Sequence, residues 1–429
     1  MPDAQKGPPA LHRSPDGYRG RVSNSVDASG PWLDAARAAG LVDAAGAVRP
    51  NIFAEMSAIA VRTGAVNLGQ GFPDYAGPQD VLDAAAAAVL AGRNQYPPGR
   101  GVPELVDAIA EHHRRFYGLE VDPATEVCVT AGATEALAAI ILGLVRPGDE
   151  VVCFEPYYDA YAADIARAGG VQVNVPLRWR ASGAGGPAGF GLDHADLRAA
   201  VTDRTRMIIV NTPHNPTGMV FDVATLSLVA SLAAQHDAIL VADEVYEHLT
   251  FGVPHRPVAT FPGAADRTLL IGSGGKTFSV TGWKIGWVTG PAPLVDAVFG
   301  MKQWLSYVNG APLQPAIAAG LALPDRVYDA IAADLRDRRD LLCGALTEVG
   351  FAVAEPDAGY FVIADAAPLG VADGEAFCRA LPERCGVVAI PVSSFCSPGR
   401  QDVRSLVRFA YCKNDATLAE AVRRLRTLT

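Results

Sequence analysis

The chain has 429 residues, half of them hydrophobic, and a formal net charge of −10. That much apolar surface excludes a disordered chain, and the acidic balance excludes nucleic acid as the main partner. No apolar run approaches the roughly 18–20 residues that span a bilayer, and the N-terminus lacks a secretory signal's apolar stretch, so no membrane partner and a cytoplasmic location are expected. Only five of the 36 basic residues are lysines: Lys6, Lys276, Lys284, Lys302 and Lys413. Arginine is the default cation here, so each lysine asks for a reason. Seven cysteines occur without a Cys-x-x-Cys pair, which reads as buried thiols in a reducing compartment. No His/Cys cluster has ligand spacing in the sequence, so no metal is expected.

Residues 1 to about 30, rich in Pro, Gly, Ser and Asp, read as a flexible arm. A short helix fits 31–45. PQDVLDAAAAAVLAG reads as a helix with Pro78 near its start and Gly92 at its end. From about 79 to 320 short apolar strands alternate with helical segments. The strands are EVCVT (126–130), EVVCF (150–154), VQVNV (171–175), MIIVN (207–211), AILVA (238–242) and TLLIG (268–272). Such alternation predicts an α/β fold with a mostly parallel sheet covered by helices on both faces. GAGGPAG (183–189) reads as a surface loop. Beyond about 324 a long helical stretch precedes YFVIAD, VVAIP and LVRFAY, which predicts a smaller α+β domain.

In a parallel α/β sheet, ligands bind beyond the carboxyl ends of the strands. Four motifs fall at such ends. AGATEAL (131–137) opens a helix whose free amides suit a phosphate, although a plain turn fits as well. NTPHNPTG (211–218) is a rigid polar turn after a buried strand. ADEVYEHL (242–249) puts Asp243 at a strand end, where a carboxylate needs a partner or caps a helix. Tyr246, one helical turn on, could face the same ligand. IGSGGKTFSVTGWKIGW (271–287) carries Lys276 in a glycine-rich turn, with Lys284 after it. A lysine that can be desolvated is the residue for Schiff-base chemistry.

Together these motifs resemble the fold-type-I, pyridoxal-phosphate-dependent aminotransferases of class I/II, over about residues 51–425. The likeness is to the kynurenine/glutamine and N-succinyldiaminopimelate aminotransferase-like branch. NIFAEMS (51–57), NLGQGFPD (67–74), NQYPPGRG (94–101) and KQWLSY (302–307) also carry it. It implies a large cofactor-binding domain over 79–320, a small domain from 51–78 and 321–429, and an N-terminal arm over 1–50. It implies pyridoxal 5'-phosphate held by Lys276 as an aldimine, with Lys276 then moving the substrate proton. Asp243 would pair with the pyridine nitrogen, and Tyr246 and Asn215 with the ring's 3'-oxygen. Tyr158 would stack on the ring, whereas Tyr157 is structural. Gly132, Ala133, Thr134, Ser273 and Lys284 would hold the phosphate. Tyr96 would reach the neighbouring subunit's phosphate, which implies a homodimer with shared active sites. Arg408 in LVRFAY would grip the substrate α-carboxylate, Gly71 would let the backbone approach the substrate closely, Asn215 would also face the substrate, and Phe53, with Trp304 as a further candidate, would line the side-chain pocket. The implied partners are an amino acid and a 2-oxo acid.

His214 departs from the branch, which has Asn there; it is either a tolerated loop residue or a titratable group near the cofactor. The implied reaction is amino-group exchange between an L-amino acid and a 2-oxo acid. The alternative is elimination or C–C bond formation with the same cofactor, as in specialised metabolism. A DNA-binding regulator built on this fold is not expected, because residues 1–50 are short and evenly charged.

Overall fold

The computed structural model describes residues 30–43, 45–181 and 187–428. The arm expected over 1 to about 30 lies outside these residues except for Gly30, and so does 183–186 of the expected loop.

Strand β1 (Val66–Asn67) is followed by β2 (Val127–Thr130), β3 (Glu150–Glu155), β4 (Val171–Arg180), β5 (Gly189–Leu192), β6 (Thr205–Asn211), β7 (Ile239–Asp243), β8 (Thr268–Ser273) and β9 (Gly286–Thr289). All but β1 form one eight-stranded sheet in the order β2-β9-β8-β7-β6-β3-β4-β5. Strands β4, β3, β6, β7 and β8 run parallel. Every residue of β2, β3, β7 and β8 is buried, as strands covered on both faces require.

Helices α1 (Pro31–Ala38), α2 (Ile52–Thr63), α3 (Gln79–Leu90), α4 (Pro103–Tyr117), α5 (Gly132–Leu144), α6 (Ala160–Arg167), α7 (His194–Ala200), α8 (Val223–Gln235) and α9 (Gly274–Thr277) accompany these strands. Helix α5 buries Leu137, Ile140 and Ile141, and α8 buries Leu226, Val229 and Ala233, so each presents an apolar stripe at helical spacing. Asp222 caps α8 by accepting from the Thr225 amide at 2.7 Å.

Beyond α10 (Ala292–Lys302), α11 (Gln314–Leu321) and the long α12 (Asp325–Val349) the chain builds β10 (Ala352–Ala354), β11 (Phe361–Asp365), α13 (Gly374–Cys385), β12 (Val387–Val388), β13 (Ile390–Pro391), β14 (Leu406–Ala410) and α14 (Asp415–Leu425). Four of these strands form an antiparallel sheet in the order β10-β11-β14-β13. Strand β12 pairs instead with β1, tying residues 66–67 to the C-terminal part of the chain. One continuous core joins both sheets: Ile140 and Val241 belong to the same apolar cluster as Leu342, Phe409 and Val422.

The structure departs from the sequence reading at several places. The helix expected over 31–45 ends at Ala38, because Gly40 turns left-handed (φ 70°) and Val42 then bridges Val48. VVAIP is two strands with different partners, split at Ala389. Strands β5 and β9, four residues each, are absent from the sequence reading. Asp243 caps no helix: residues 245–248 form a turn, so Tyr246 reaches the site from a loop.

Candidate active site

Strand order decides what meets at the carboxyl edge of the large sheet. Strands β6, β7 and β8 end side by side at Asn211, Asp243 and Ser273. Strand β9 runs the other way, so it starts at this edge: Gly286 pairs with both Ser273 and Thr130. Its lead-in residue Lys284 therefore arrives beside the N-terminus of α5. A Cβ on Gly286 would stand 2.9 Å from the Ala133 amide nitrogen and 2.8 Å from the Gly132 carbonyl carbon, so only glycine lets β9 lie this close. Gly132 itself is left-handed (φ 75°), and a side chain there would press on Lys284.

A cavity opens at this edge. Gly132, Ala133, Thr134, Tyr158, Asn215, Asp243, Tyr246, Ser273, Lys276 and Lys284, all singled out from the sequence, line it.

Asp243 forms the floor. Its Oδ2 accepts a 2.6 Å hydrogen bond from the Tyr161 phenol, while Oδ1 is buried with no hydrogen-bond partner. Burial pushes this carboxyl's pKa up, and the Tyr161 hydrogen bond opposes that rise. Asn211 fixes the neighbouring backbone: its Nδ2 donates to the Asp243 carbonyl at 2.7 Å and its Oδ1 accepts from the Asn215 amide at 2.7 Å.

Lys276 sits on the single-turn helix α9, not in an open turn. Its carbonyl accepts from the Tyr360 phenol at 2.7 Å. Its Nζ lies 5.7 Å from the ring centres of Tyr246 and Tyr360 and, among the described residues, makes no hydrogen bond or ion pair. Burial lowers the amine's pKa, which favours a neutral nucleophile. Across the cavity Lys284 Nζ stands 3.4 Å from Thr134 Oγ1, and both residues are exposed.

Arg408, on β14, lies behind Asn215. Its Nη1 donates to Asn215 Oδ1 at 3.2 Å and its Nη2 to the Gly69 carbonyl at 3.0 Å, and its Nε is buried without a partner. The guanidinium packs 3.8 Å above the Phe361 ring centre, with Phe395 and Phe53 around it at 4.5 and 5.4 Å. Burial pulls its pKa down to about 9, so it stays charged at neutral pH. The close contact that Gly71 makes is with Phe361, where an added Cβ would stand 2.1 Å from Cζ of the ring. Tyr96 is not in the cavity of its own chain. It is 81% exposed and stacks edge-on with Tyr307 at 5.5 Å. Trp304 is 83% exposed.

Tyr161, Asn211 and Tyr360 were missed by the sequence reading. Asn211 carried a signal, a polar residue ending an apolar strand; the two tyrosines carried none beyond ordinary core composition.

His214 is settled by its surroundings. It is buried, its Nδ1 hydrogen-bonds Thr217 Oγ1 at 2.8 Å, and its ring stacks on Phe221 at 5.9 Å. Burial holds its pKa down at about 3, so it is a neutral loop tie.

Below the loop that follows Asp243 lies a second polar cluster. His112, Glu247 and His248 place ligand-type atoms within 4.8 Å of one another. The two Nε2 atoms are 2.6 Å apart, which is hydrogen-bond distance. Two nitrogens on one tetrahedral zinc ion would stand about 3.3 Å apart. Tyr117 donates to Glu247 at 2.5 Å, and Glu244 accepts from the Val258 amide at 2.9 Å and lies 3.0 Å from His255 Nε2.

The remaining lysines have plain roles: Lys302 donates to the Gly99 and Tyr307 carbonyls at 3.2 and 2.8 Å, and Lys413 to the Phe72 carbonyl at 2.8 Å. Lys6 lies outside the described residues. All seven cysteines are unpaired. No helix among the described residues is long and apolar enough to cross a membrane.

The family model for aminotransferase class I and II matches residues 63–425. The solved structure of N-succinyldiaminopimelate aminotransferase from Mycobacterium tuberculosis superposes with a TM-score of 0.85 and is 52% identical, covering 89% of this chain and 97% of that one. The methionine aminotransferase of Escherichia coli is 38% identical over 378 residues, 88% of this chain and 95% of its own. Aspartate aminotransferase from Thermus thermophilus superposes with a TM-score of 0.78 at 32% identity, covering 89% of this chain and 97% of that one.

Proposed function

This chain belongs to the class I and II aminotransferases, and from that premise we propose how its cavity moves an amino group. It is an enzyme that exchanges an amino group between an amino acid and a 2-oxo acid, and its cofactor is pyridoxal 5'-phosphate.

The residues fit that group. A pyridinium N–H needs a buried acceptor, and Asp243 Oδ1 is one without a partner. An aldehyde needs an amine of low pKa, and Lys276 supplies it. A phosphate needs donors, and the first amides of α5, Ser273 and Lys284 converge at one end of the cavity. The orphaned Asp243 oxygen is the observation that carries the reading.

When bound, pyridoxal phosphate supplies an aldehyde that condenses with amines and a ring that accepts electron density from the substrate Cα. Lys276 Nζ would hold the cofactor between turnovers and, once freed, would serve as the base that takes the substrate Cα proton. Asp243 would accept from the ring N–H through its unpartnered Oδ1. Asn215 and Tyr246 would hydrogen-bond the ring's 3'-oxygen, and Tyr158 would cover one ring face. Arg408, held by Asn215 and the Gly69 carbonyl, grips the substrate α-carboxylate. Phe53 and Phe361 flank that guanidinium and shape the substrate side.

The first amino donor to test is N-succinyldiaminopimelate, supported by the 52% identity to the mycobacterial enzyme. The proposed assembly is a homodimer with shared active sites, with Tyr96 reaching the partner's phosphate; the exposure of Tyr96, Trp304, Lys284 and Thr134 supports it. The proposed division is a cofactor domain over 79–320 and a substrate-gripping domain from 51–78 and 321–429, supported by the separation of the two sheets. Unpaired cysteines support a cytoplasmic location. Elimination or C–C bond formation is not favoured: the relatives are aminotransferases, and His214 is a buried loop residue tied to Thr217.

Borohydride reduction of the yellow holoenzyme should fix the cofactor to Lys276; a label found elsewhere overturns the reading. Mixing holoenzyme with N-succinyldiaminopimelate, methionine, kynurenine or glutamine, without a 2-oxo acid, should convert the cofactor to its amine form. Ammonia release without that conversion would support elimination instead.

A further inference from the structure

We infer that Tyr161 is a positioning residue: its phenol pins one oxygen of Asp243 so that the other faces the cavity as an ionised acceptor for the cofactor's ring N–H. The inference rests on the proposed pairing of Asp243 with that ring nitrogen.

The geometry is specific. Tyr161 lies on α6, is 3% exposed and meets Tyr158 edge-on at 5.8 Å. Its Oη is 2.6 Å from Asp243 Oδ2, the span of a charge-assisted O–H···O⁻ bond. No arginine or lysine forms an ion pair with Asp243 among the described residues, so this phenol is the side-chain donor the carboxylate has. Burial works against the charged carboxylate, whereas the phenol works for it. Burial and the neighbouring carboxylate both raise the phenol's own pKa, so the shared proton stays on Tyr161. A protonated Asp243 would offer a donor toward a ring nitrogen that needs an acceptor. One short hydrogen bond therefore holds the rotamer and, together with the nearby Val245 amide and Lys276, favours the ionised state of the group beneath the cofactor. Tyr158, just ahead of α6, lines the cavity, so ring cover and carboxylate support arrive on one short stretch of chain.

The variant Tyr161→Phe removes one oxygen and leaves the ring in place. Without the donor, Asp243 becomes more basic and draws the shared proton from the ring nitrogen. The ring then carries less positive charge, and the pH midpoint of the bound cofactor's visible band should move up. Replacing Tyr161 with 3-fluorotyrosine, a stronger donor of nearly the same shape, should move that midpoint down. Cofactor affinity of Tyr161→Phe, measured by titrating apoenzyme with pyridoxal phosphate, should fall about 10- to 100-fold, the range for a hydrogen bond to a charged group. In the Asp243→Asn background the same change should have little effect. A merely structural tyrosine would not move the band in opposite directions. Midpoints that stay still or move together, or an affinity loss equally large in the Asp243→Asn background, overturn the inference. Should Tyr161→Phe not fold, the 3-fluorotyrosine shift decides alone. If Asp243→Asn leaves cofactor affinity and turnover intact, the site reading itself fails; if it abolishes them while the Tyr161 changes are silent, only this inference fails.

Discussion

Two buried polar clusters share the segment that runs on from β7, and they behave as opposites. On the cavity side, among the described residues, Asp243 Oδ1 has no hydrogen-bond partner and Lys276 Nζ makes no hydrogen bond or ion pair, only ring contacts. On the far side, Glu244 and Glu247 are met by the Val258 amide, His255, Tyr117 and the His112–His248 pair. What stays unpaired there is imidazole nitrogen, on His112 and His255, which is cheaper to bury than a carboxylate oxygen. Burial alone does not mark a functional site. Charge-bearing atoms left waiting for a partner do, and a cluster whose members satisfy one another acts as a clasp.

The sharpest way to break this contrast is Lys276→Arg. Arginine cannot serve as the amine, so turnover should fall by about 10⁴-fold or more, while the apoenzyme melts no lower than wild type. A large loss of thermal stability would show that Lys276 belongs to the scaffold after all. The clasp should respond the other way. Tyr117→Phe leaves Glu247 Oε2 without its donor and should cost about 1–3 kcal/mol in denaturant unfolding. Its kcat/KM should stay within about threefold of wild type; a collapse of activity at full stability would merge the two clusters.

The smallest effect concerns His214. Its folded pKa of about 3 lies below the ordinary value of 6.5, so the unfolded chain takes up a proton first as the pH falls. This residue's contribution is fully present above about pH 6.5 and is lost on acidification toward pH 3, at up to about 1.4 kcal/mol per pH unit. His214→Asn should flatten the acid limb of the stability curve and leave the pH profile of kcat/KM unchanged. A shifted activity profile would return His214 to the group of titrating residues near the cofactor.

Most of the parallel sheet was legible because fully buried strands read as continuous apolar runs. The cavity wall was legible because polar residues interrupt those runs at their carboxyl ends: Asp243, Asn215, Ser273 and Lys276. Residues that act through other residues were not. Tyr161 lies in an ordinary amphipathic helix, and only the three-dimensional approach of α6 to β7 gives its hydroxyl a purpose. Strand β9 hid for a different reason, since Gly-Trp-Val-Thr is too short for any periodicity to show. Arg408 stood out only through family resemblance, because this chain uses arginine almost everywhere.

The reversal of β9 has an evolutionary consequence. Where Gly286 touches Gly132 and Ala133, the cavity wall is backbone against backbone, so substitution has almost nothing to work on there without prising β9 from α5. The Arg408 end is walled by Phe53, Phe361 and Phe395, side chains that can be exchanged one at a time. Exchange of single side chains therefore has more room around Arg408, behind Asn215, than where β9 meets α5.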